Sequence, residues 1–546
     1  MTISLLSHQQ LIIQNDFSNL GNINSFLDFQ PRAKQALMQF SQAESGSLLV
    51  LKSELFPEFI NEVSTYLKQS DPSVSVISKM DFNKNSLFGY HLFLEREHKT
   101  EYVRGALQEA NNGILIININ ALLLDITQWD KLKQALLLGE YEPHSVNYSP
   151  HLLAKEKSSF KLILVGERED ISTLSAYDDS LYQVAQYTEV KSYLSLNNNI
   201  EQWASYVQTY AKQLLNKKLS QEALNQFLQA YIRESESREL ISISPTLLKK
   251  HLLGIQNFYA DSSSDIVDVK SYFDYLEQQS SILNEYTVDD ILGNQLYIET
   301  EGEEIGQING LSVIEFEGIP HSFGEPLRIS CNVQYGEGEI QDIERKVELG
   351  GNIHSKGIIL AQSCLVNLLE LPTQLPFSAS IAFEQSYGEV DGDSSSLAIF
   401  NVLVSALAKI ALPQSVAVTG AIDQFGNVLS VGGVNQKIEG FFKICKARQL
   451  TGKQGVIIPA SCLSHLSLKE EVLDAVALGR FHIWTVENVF DAIEILFGRD
   501  FYKDESSTKS NQTALFTLIH QQLEDKDNTE TSGSFLRRIC KKLCFN

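Results

Sequence analysis

The chain has 546 residues, a length typical of three or four domains, and its composition of 43% hydrophobic and 21% charged residues is that of an ordinary globular protein. Its formal net charge of −24 favours solubility and argues against a nucleic-acid partner bound through a basic surface. No membrane anchor is expected, because the start of the chain lacks the pattern of a signal peptide and the most apolar segment, Gly113 to Leu124, is shorter than the ~20 residues of a membrane span.

The six cysteines are scattered along the chain without the spacing of a metal site. Cys540 and Cys544 lie four positions apart, but no second pair of ligands accompanies them. Reduced thiols in a cytoplasm are the simplest account of this usage. The sequence therefore predicts a cytoplasmic protein without a bound metal.

Short apolar runs alternate with amphipathic stretches in residues 1 to 195, and this alternation indicates a parallel α/β sheet. The runs are Ser47–Leu51, Val74–Ile77, Gly113–Ile117 and Phe160–Gly166. Residues 196 to 300 are predicted to be helical, because apolar residues recur there at helical spacing. The clearest such series is Leu224, Phe227, Leu228, Tyr231 and Ile232.

A serine stands at the start of a long apolar stretch further along the chain. Gly392-Asp393-Ser394 is followed by the apolar residues Leu397 to Ala411, which predict a helix buried within a domain. The free backbone N–H groups at the start of such a helix would suit a developing oxyanion. Ser394 is interpreted as a nucleophile and Asp391 and Asp393 as residues that orient the loop, although a Gly-Asp-Ser triplet taken alone is usually a turn with a helix cap.

A serine hydroxyl needs a neighbouring base, and the next elements supply a candidate. Ser415–Gly420 and Val428–Val431 are predicted to be the two strands of a hairpin around the turn Asp423–Asn427, and Gly432-Gly433 ends the hairpin. Lys437 then lies at the start of a further predicted helix.

Lys437 can accept a proton only when its amine is neutral. Its reference pKa of about 10.4 would have to fall by about three units, at a cost on the order of 4 kcal/mol. Burial beside the apolar Val434, Ile438 and Phe441 would lower the pKa, because desolvation disfavours the charged form. Taken alone, a lysine at such a position is almost always a solvated surface charge.

The residues around this serine and lysine resemble the signature of the Lon proteases. The resemblance is to the LonB-type subgroup, whose nucleophile lies in a Gly-Asp-Ser rather than a Gly-Pro-Ser context, and it covers about residues 305 to 500. The segments that carry it, in the family's order, are Asn309–Leu311, Gly350–Gly357, Phe383–Gly388, Gly392–Ser394, Thr419–Gly420 and Gly455–Pro459.

The resemblance implies a catalytic dyad of Ser394 and Lys437, which lie 43 positions apart. Thr419 falls where the family has a threonine near the lysine amine and is predicted to aim that amine at Ser394, in a supporting role with Asp393. His354 is interpreted as structural, because a lysine base leaves no need for a histidine. The chain departs from the family's pattern at Ser395, where alanine is usual, and at Ile399, where an acidic residue is common.

The implied architecture is a multidomain α/β and α+β fold. Residues 1–195 would form a degenerate AAA+ module, 196–300 a helical subdomain and linker, 301–500 a Lon-type proteolytic domain and 501–546 a polar tail. The tail is predicted to hold a short helix near Ala514 to Leu523 and to end in the basic and apolar segment Phe535–Cys544. This segment is interpreted as solvated or self-packed rather than docked on a partner or membrane.

The predicted AAA+ module lacks the residues that hydrolyse ATP. No phosphate loop of the form Gly-x-x-x-x-Gly-Lys-Ser/Thr occurs, and the nearest string, Gly46 to Ser53, has Leu51 in place of the second glycine. Asn118 and Ile119 stand where the acidic pair is expected. We therefore expect no cofactor, with ATP and magnesium bound only if the module still takes nucleotide.

These observations predict a cytoplasmic serine endopeptidase that degrades peptides or unfolded proteins without hydrolysing ATP. The resemblance implies a hexameric ring, with no nucleic-acid or membrane partner. Two alternatives remain open: an ATP-dependent Lon-like protease with an atypical nucleotide site, and a non-catalytic assembly or adaptor protein.

Overall fold

A computed structural model describes residues 4–18, 20, 25–148, 154–259, 265–266, 268–372, 374–386, 391–502 and 513–524. Two units make up the chain: an N-terminal unit of residues 16–224 and 240–267, and a C-terminal unit of residues 1–15, 225–239 and 268–546. Both units are discontinuous in sequence, whereas the four predicted domains are continuous segments. The predicted domain boundaries stay a prediction.

The N-terminal unit is built on a five-stranded parallel sheet, which confirms the α/β fold predicted for this part of the chain. Its strands lie in the order Ala185–Glu189, Leu48–Lys52, Lys161–Gly166, Ile114–Asn118 and Val76–Lys79. Leu48 to Leu51, Ile114 to Asn118 and Lys161 to Gly166 are buried throughout, as expected for strands covered on both faces. The edge strand Ala185–Glu189 was not predicted from the sequence, because only Thr188 is buried and the segment has no apolar run.

Helices and small strand pairs complete the N-terminal unit. Its α-helices are Pro31–Ser41, Pro57–Ser70, Lys84–Phe88, Ala106–Glu109, Ile119–Leu123, Thr127–Leu138, Arg168–Tyr177, Leu181–Val184, Ile200–Leu215 and Pro245–Phe258, with a 3₁₀ helix at Phe26–Phe29. Small sheets pair Tyr90–Leu94 with Lys99–Val103 and His144–Ser145, Glu140–Tyr141 with Glu156–Lys157, and Tyr193–Ser195 with Leu240–Ser242. Helix Gln221–Ser235 spans the boundary between the two units.

The C-terminal unit contains an eight-stranded mixed sheet. Its strands lie in the order Ser4–Leu5, His482–Val486, Gly455–Pro459, Val416–Val418, Gln307–Ile314, Phe323–Gly338, Leu375–Glu384 and Ile340–Asp342. The strands His482–Val486 to Gln307–Ile314 run parallel to one another, while Phe323–Gly338 pairs antiparallel with both of its neighbours. This α+β arrangement agrees with the fold predicted for residues 301–500.

One helix of this unit, Ser396–Ala408, is buried along its whole length and is here called the central helix; the helices Asn352–Leu368 and Val489–Phe497 pack against it. Besides the central helix, the helices of the unit are His8–Leu11, Lys270–Gln278, Ile282–Leu292, Ile343–Lys346, Asn352–Leu368, Val434–Ala447, Glu470–Ala477 and Val489–Phe497, with a 3₁₀ helix at Ala460–His465. Residues 515–524 are helical, close to the bounds predicted from the sequence. The terminal segment Phe535–Cys544 lies outside the described residues.

The hairpin predicted after the central helix differs from the one observed. Val416–Val418 is a strand of the eight-stranded sheet and pairs with Gly455–Pro459 and Gln307–Ile314. The hairpin is instead formed by Ala421–Ile422 and Val428–Leu429. The prediction was wrong about the partner because the buried Val416–Val418 segment finds long-range partners that local turn signals do not indicate.

None of the helices among the described residues is both long and apolar enough to cross a membrane.

Candidate active site

Ser394 lies directly before the cap of the central helix (Ser396–Ala408), whose N-cap residue is Ser395. The carbonyl of Ser394 accepts hydrogen bonds from the Gly420 N–H at 2.8 Å and from Thr419 Oγ1 at 3.3 Å. The strand Val416–Val418 therefore holds the backbone of Ser394 from one side. The side chain of Ser394 is half-buried, which leaves it open to a substrate.

The loop before Ser394 is held by a second helix, Asn352–Leu368, here called the His354 helix. Asp391 Oδ1 accepts hydrogen bonds from the N–H groups of Ile353, at 2.9 Å, and His354, at 3.0 Å, and so caps the start of this helix from the loop. Gly392 has φ +130°, a conformation that favours glycine. The Gly-Asp-Ser sequence thus makes the turn that the loop requires.

Lys437 belongs to a helix that is anchored at several points, Val434–Ala447, here called the lysine helix. Gly433 precedes it at φ +64°, and a Cβ there would lie 2.3 Å from Val313 Cγ2, so only glycine fits. The Asn435 side chain donates to His465 O at 2.9 Å and accepts from Ser467 N at 2.7 Å. These contacts fix where the first turn of the helix directs its side chains.

The structure brings the two predicted dyad residues together. Lys437 Nζ donates to Ser394 Oγ at 3.0 Å, which is the reach that proton transfer between a nucleophile and its base requires. Lys437 is only 4% exposed, so it is not the solvated surface charge that a lysine at such a position usually is. Val434, Ile438 and Phe441 are all buried, as expected from the sequence.

Burial lowers the pKa of Lys437 to about 8, while the Cys462 thiol and the carboxylates of Glu236 and Asp393 act in the opposite direction. A lysine in the first turn of a helix also meets the positive end of the helix dipole, which disfavours a charged amine. Moving the pKa from 10.5 to about 8 costs about 3 kcal/mol, and the rest of the fold has to supply this stability.

Thr419 takes a different supporting position from the one expected. Its hydroxyl donates to the Ser394 carbonyl rather than to the Lys437 amine, so it holds the backbone of the serine and not the lysine. The first N–H groups of the central helix are also engaged: Ser396 donates to Asp393 O at 3.0 Å and Leu397 to Gly420 O at 3.1 Å. Donors for an oxyanion would therefore come from the backbone just before Ser396, earlier than expected from the sequence.

The departures from the family's pattern leave this geometry intact. Ser395 makes no side-chain cap hydrogen bond. Ile399 is fully buried among apolar side chains, where an ionised acidic residue would be costly. His354 is also fully buried, with its ring packed edge-on against Phe383 at 4.8 Å between centroids.

Two residues near the lysine were missed from the sequence. Glu236 Oε2 accepts from the Gly433 N–H at 3.1 Å across 197 positions of sequence, and it follows the helix that ends at Ser235. Cys462 Sγ accepts from the Val431 N–H at 3.4 Å and has no exposed surface. Neither residue lies in a segment that resembles the family's signature, so no local signal pointed to them.

Two parallel strands of the N-terminal unit end in the polar residues Lys52 and Asn118. Lys52 is the last residue of the strand Leu48–Lys52 and pairs with Glu189 at 3.3 Å. Asn118 is buried, and its side chain accepts from the Asn120 N–H at 3.0 Å. The position expected to carry an acidic residue is thus occupied by an amide that caps the helix Ile119–Leu123.

Comparison with known proteins identifies the class of both regions. Residues 74–188 match the family model described as "LonB-like, AAA domain". Residues 283–498 match the model described as "Lon protease (S16) C-terminal proteolytic domain". The chain is accordingly a peptidase that carries an AAA-type region.

Similar proteins span nearly the whole chain. A "Putative Lon protease homolog" of Haemophilus influenzae is 43% identical over 95% of this chain and 93% of its own length. A protein of the same description from Escherichia coli is 37% identical over 98% of both chains. An "Archaeal Lon protease" of Methanothermobacter thermautotrophicus is 28% identical over 48% of this chain and 39% of its own length. The chain belongs to the Lon protease family.

Proposed function

We propose that this protein is a serine endopeptidase that cleaves peptides or unfolded proteins through a Ser394–Lys437 dyad, without hydrolysing ATP. The 3.0 Å contact between Lys437 Nζ and Ser394 Oγ carries the proposal, because it joins a half-buried hydroxyl to a buried amine whose pKa is lowered to about 8. Few structural roles require a lysine to be buried against a serine at this cost.

The proposed reaction proceeds through an acyl-enzyme. Neutral Lys437 accepts the Ser394 proton as Ser394 Oγ attacks the peptide carbonyl, and it then gives that proton to the departing amine. The Lys437 amine, neutral again, then deprotonates a water that hydrolyses the ester, and it returns this proton to Ser394 Oγ. The backbone N–H groups between Asp393 and Ser395 are the proposed donors to the oxyanion, since those of Ser396 and Leu397 are already engaged.

The absence of ATP hydrolysis is proposed from the N-terminal unit. The string from Gly46 to Ser53 contains the strand Leu48–Lys52, so most of its residues pair with neighbouring strands and cannot wrap a phosphate. Asn118 lacks the carboxylate that would hold magnesium or polarise water. Without ATP-driven unfolding, substrates would have to be peptides or unfolded chains.

We further propose a cytoplasmic enzyme that assembles as a ring. The four cysteines among the described residues are buried and unpaired, which suits a reducing compartment. A hexamer is an analogy with the family, and light scattering that finds only a monomer would refute it.

The proposed function is tested by measuring hydrolysis of unfolded casein by the full-length protein, with and without ATP and magnesium. Equal cleavage in both conditions, abolished in Ser394→Ala and in Lys437→Ala, is the expected result. Ser395→Ala is the matched control and retains activity, because this neighbouring side chain caps nothing and alanine is usual in the family. Cleavage that persists in Ser394→Ala would refute the dyad.

One observation favours a second candidate, an ATP-dependent protease with an atypical nucleotide site. A cavity of about 310 Å³ in the N-terminal unit is lined by two cationic and two tyrosine side chains besides Ile171: Lys52, Arg168, Tyr182 and Tyr187. It opens beside the carboxyl end of the strand Leu48–Lys52, where sheets of this kind bind ligands. Casein hydrolysis that requires ATP would favour this candidate over the first.

A further inference from the structure

A buried cluster of three ligand-type side chains lies in the C-terminal unit and has no part in the dyad. Asp342 ends the strand Ile340–Asp342, Glu344 lies in the short helix Ile343–Lys346, and His354 lies in the first turn of the His354 helix. Each offers one ligand atom, and these atoms lie within 4.8 Å of one another. Three separate elements therefore converge on one point.

The three side chains leave polar atoms buried without hydrogen-bond partners. Asp342 Oδ2, Glu344 Oε2 and both ring nitrogens of His354 are buried and have no hydrogen-bond partner among the described residues. His354 has no exposed surface and Glu344 is 5% exposed. Leaving one such group unsatisfied costs about 1–3 kcal/mol, and more when it is charged, so four polar atoms in one place form a donor set that a bound cation would satisfy.

The remaining oxygen of each carboxylate is held by the backbone. Asp342 Oδ1 accepts from the Arg345 N–H at 3.3 Å, and Glu344 Oε1 accepts from the Phe383 N–H at 2.8 Å. Each carboxylate is thus oriented through one oxygen and directs the other into the cluster. This is the arrangement that orients carboxylate ligands in metal sites.

The spacing and charge of the cluster suit a divalent cation. His354 Nε2 and Asp342 Oδ2 are 3.5 Å apart, which is an ion-pair distance when the histidine is protonated, and no hydrogen bond joins them. Two ligands bonded at ~2.1 Å to one tetrahedral ion lie roughly 3.4 Å apart, which matches this separation. Among the described ion pairs none joins a lysine or arginine to either carboxylate, so a dication would supply the charge that the cluster lacks.

We propose that Asp342, Glu344 and His354 bind a divalent transition-metal cation, for which Zn²⁺ is the best-matched ion. One imidazole nitrogen and two carboxylate oxygens are ligands that Zn²⁺ accepts, whereas Mg²⁺ and Ca²⁺ favour oxygen alone. This proposal departs from the expectation from the sequence that the protein binds no metal. Spacing along the chain gave no such signal, because the cluster follows no zinc motif.

The cation would join elements that support the candidate active site. His354 stands in the turn that Asp391 caps, and Asp391 lies three positions before Ser394 in the same loop. Gly357 of the same helix lies so close to this loop that an added Cβ would be 3.0 Å from Asp393 Cα. The inference itself concerns cation binding and does not rest on the proposed peptidase mechanism.

The test measures cation binding by the full-length protein after chelation and dialysis. Zn²⁺ uptake is determined by elemental analysis at equilibrium, and Co²⁺ is used as a spectroscopic substitute whose visible absorption reports tetrahedral coordination. Wild type is expected to bind one equivalent more than Glu344→Gln and His354→Gln, with affinity at this site reduced by at least about 100-fold in both.

Glu344→Gln keeps the shape of the side chain and an oxygen for the Phe383 N–H, so it separates loss of the ligand from loss of the fold. His321→Gln is the matched control, because His321 is an exposed histidine of the same unit, and it is expected to bind as wild type does. Equal Zn²⁺ uptake in all four proteins, or none in wild type, would overturn the proposal. The second outcome would mean that a proton shared between the carboxylates neutralises the cluster instead.

Discussion

The lowered pKa of Lys437 predicts how peptidase activity depends on pH. At a pKa of about 8, roughly a tenth of the lysine is neutral at pH 7, whereas a lysine at 10.5 would be about 0.03% neutral. Burial of the amine therefore increases the reactive fraction about 300-fold at neutral pH. For a mechanism limited by this base, kcat/KM rises about tenfold between pH 7 and pH 9 and then levels off.

The assay is kcat/KM for a fluorogenic peptide between pH 6 and pH 10.5, because this parameter reports the pKa of the free enzyme. Ser394→Ala gives the background rate at each pH. Samples are also held at each pH and then assayed at pH 8, and their activity shows whether irreversible unfolding contributes to the change in rate. A slope of one in log kcat/KM below a midpoint near pH 8 is expected.

Two results would contradict this reasoning. A rate that is flat from pH 6 to pH 9 would mean that Lys437 is not the titrating base. A rate that still rises steeply above pH 10 would mean that burial leaves the pKa of the amine near its ordinary value.

Three further predictions concern residues around the dyad. Glu236→Gln removes a carboxylate that favours the charged amine, so the midpoint of the pH profile should move below that of wild type, and an unchanged or higher midpoint would count against this role. Lys437→Met should stabilise the inactive protein in thermal unfolding. Because the folded pKa of the amine lies below the unfolded one, burying the amine costs about 3 kcal/mol at pH 7 and about 1 kcal/mol at pH 10. Methionine removes this cost, but it also removes the hydrogen bond to Ser394, which offsets roughly 1 kcal/mol of the gain in stability. If Lys437→Met were less stable than wild type by the same amount at both pH values, this prediction would be refuted. Asp391→Ala removes the cap from the His354 helix, so we expect a loss of about 1 kcal/mol in unfolding free energy together with a lower kcat, and wild-type values for both would show that the loop is held in another way.

The pairing of Ser394 and Lys437 could be predicted from the sequence because their spacing and the segments around them resemble the signature of a known family, whereas each residue taken alone has an ordinary structural reading. Short-range requirements account for the glycine that allows φ +130° and for the mostly apolar sequence of the buried helix after Ser394. The parallel sheet of the N-terminal unit could also be predicted from the sequence. Strands buried on both faces read as continuous apolar runs.

Long-range contacts decided what local patterns could not. The partner of Val416–Val418 is a distant strand, and Glu236 reaches the lysine helix from a segment almost 200 positions earlier. The hydroxyl of Thr419 donates to the carbonyl of Ser394, a contact that the residue type alone does not indicate.

The sequence by itself determined which residues are able to do chemistry, since nucleophile, base and turn glycines are properties of residue type and spacing. Only the tertiary structure decided the environment of those residues. The low exposure that shifts the pKa of Lys437, and the meeting of Asp342, Glu344 and His354, arise from packing between elements that are remote in the chain. Burial and electrostatics depend on all neighbours in space at once, and no window along the sequence contains them.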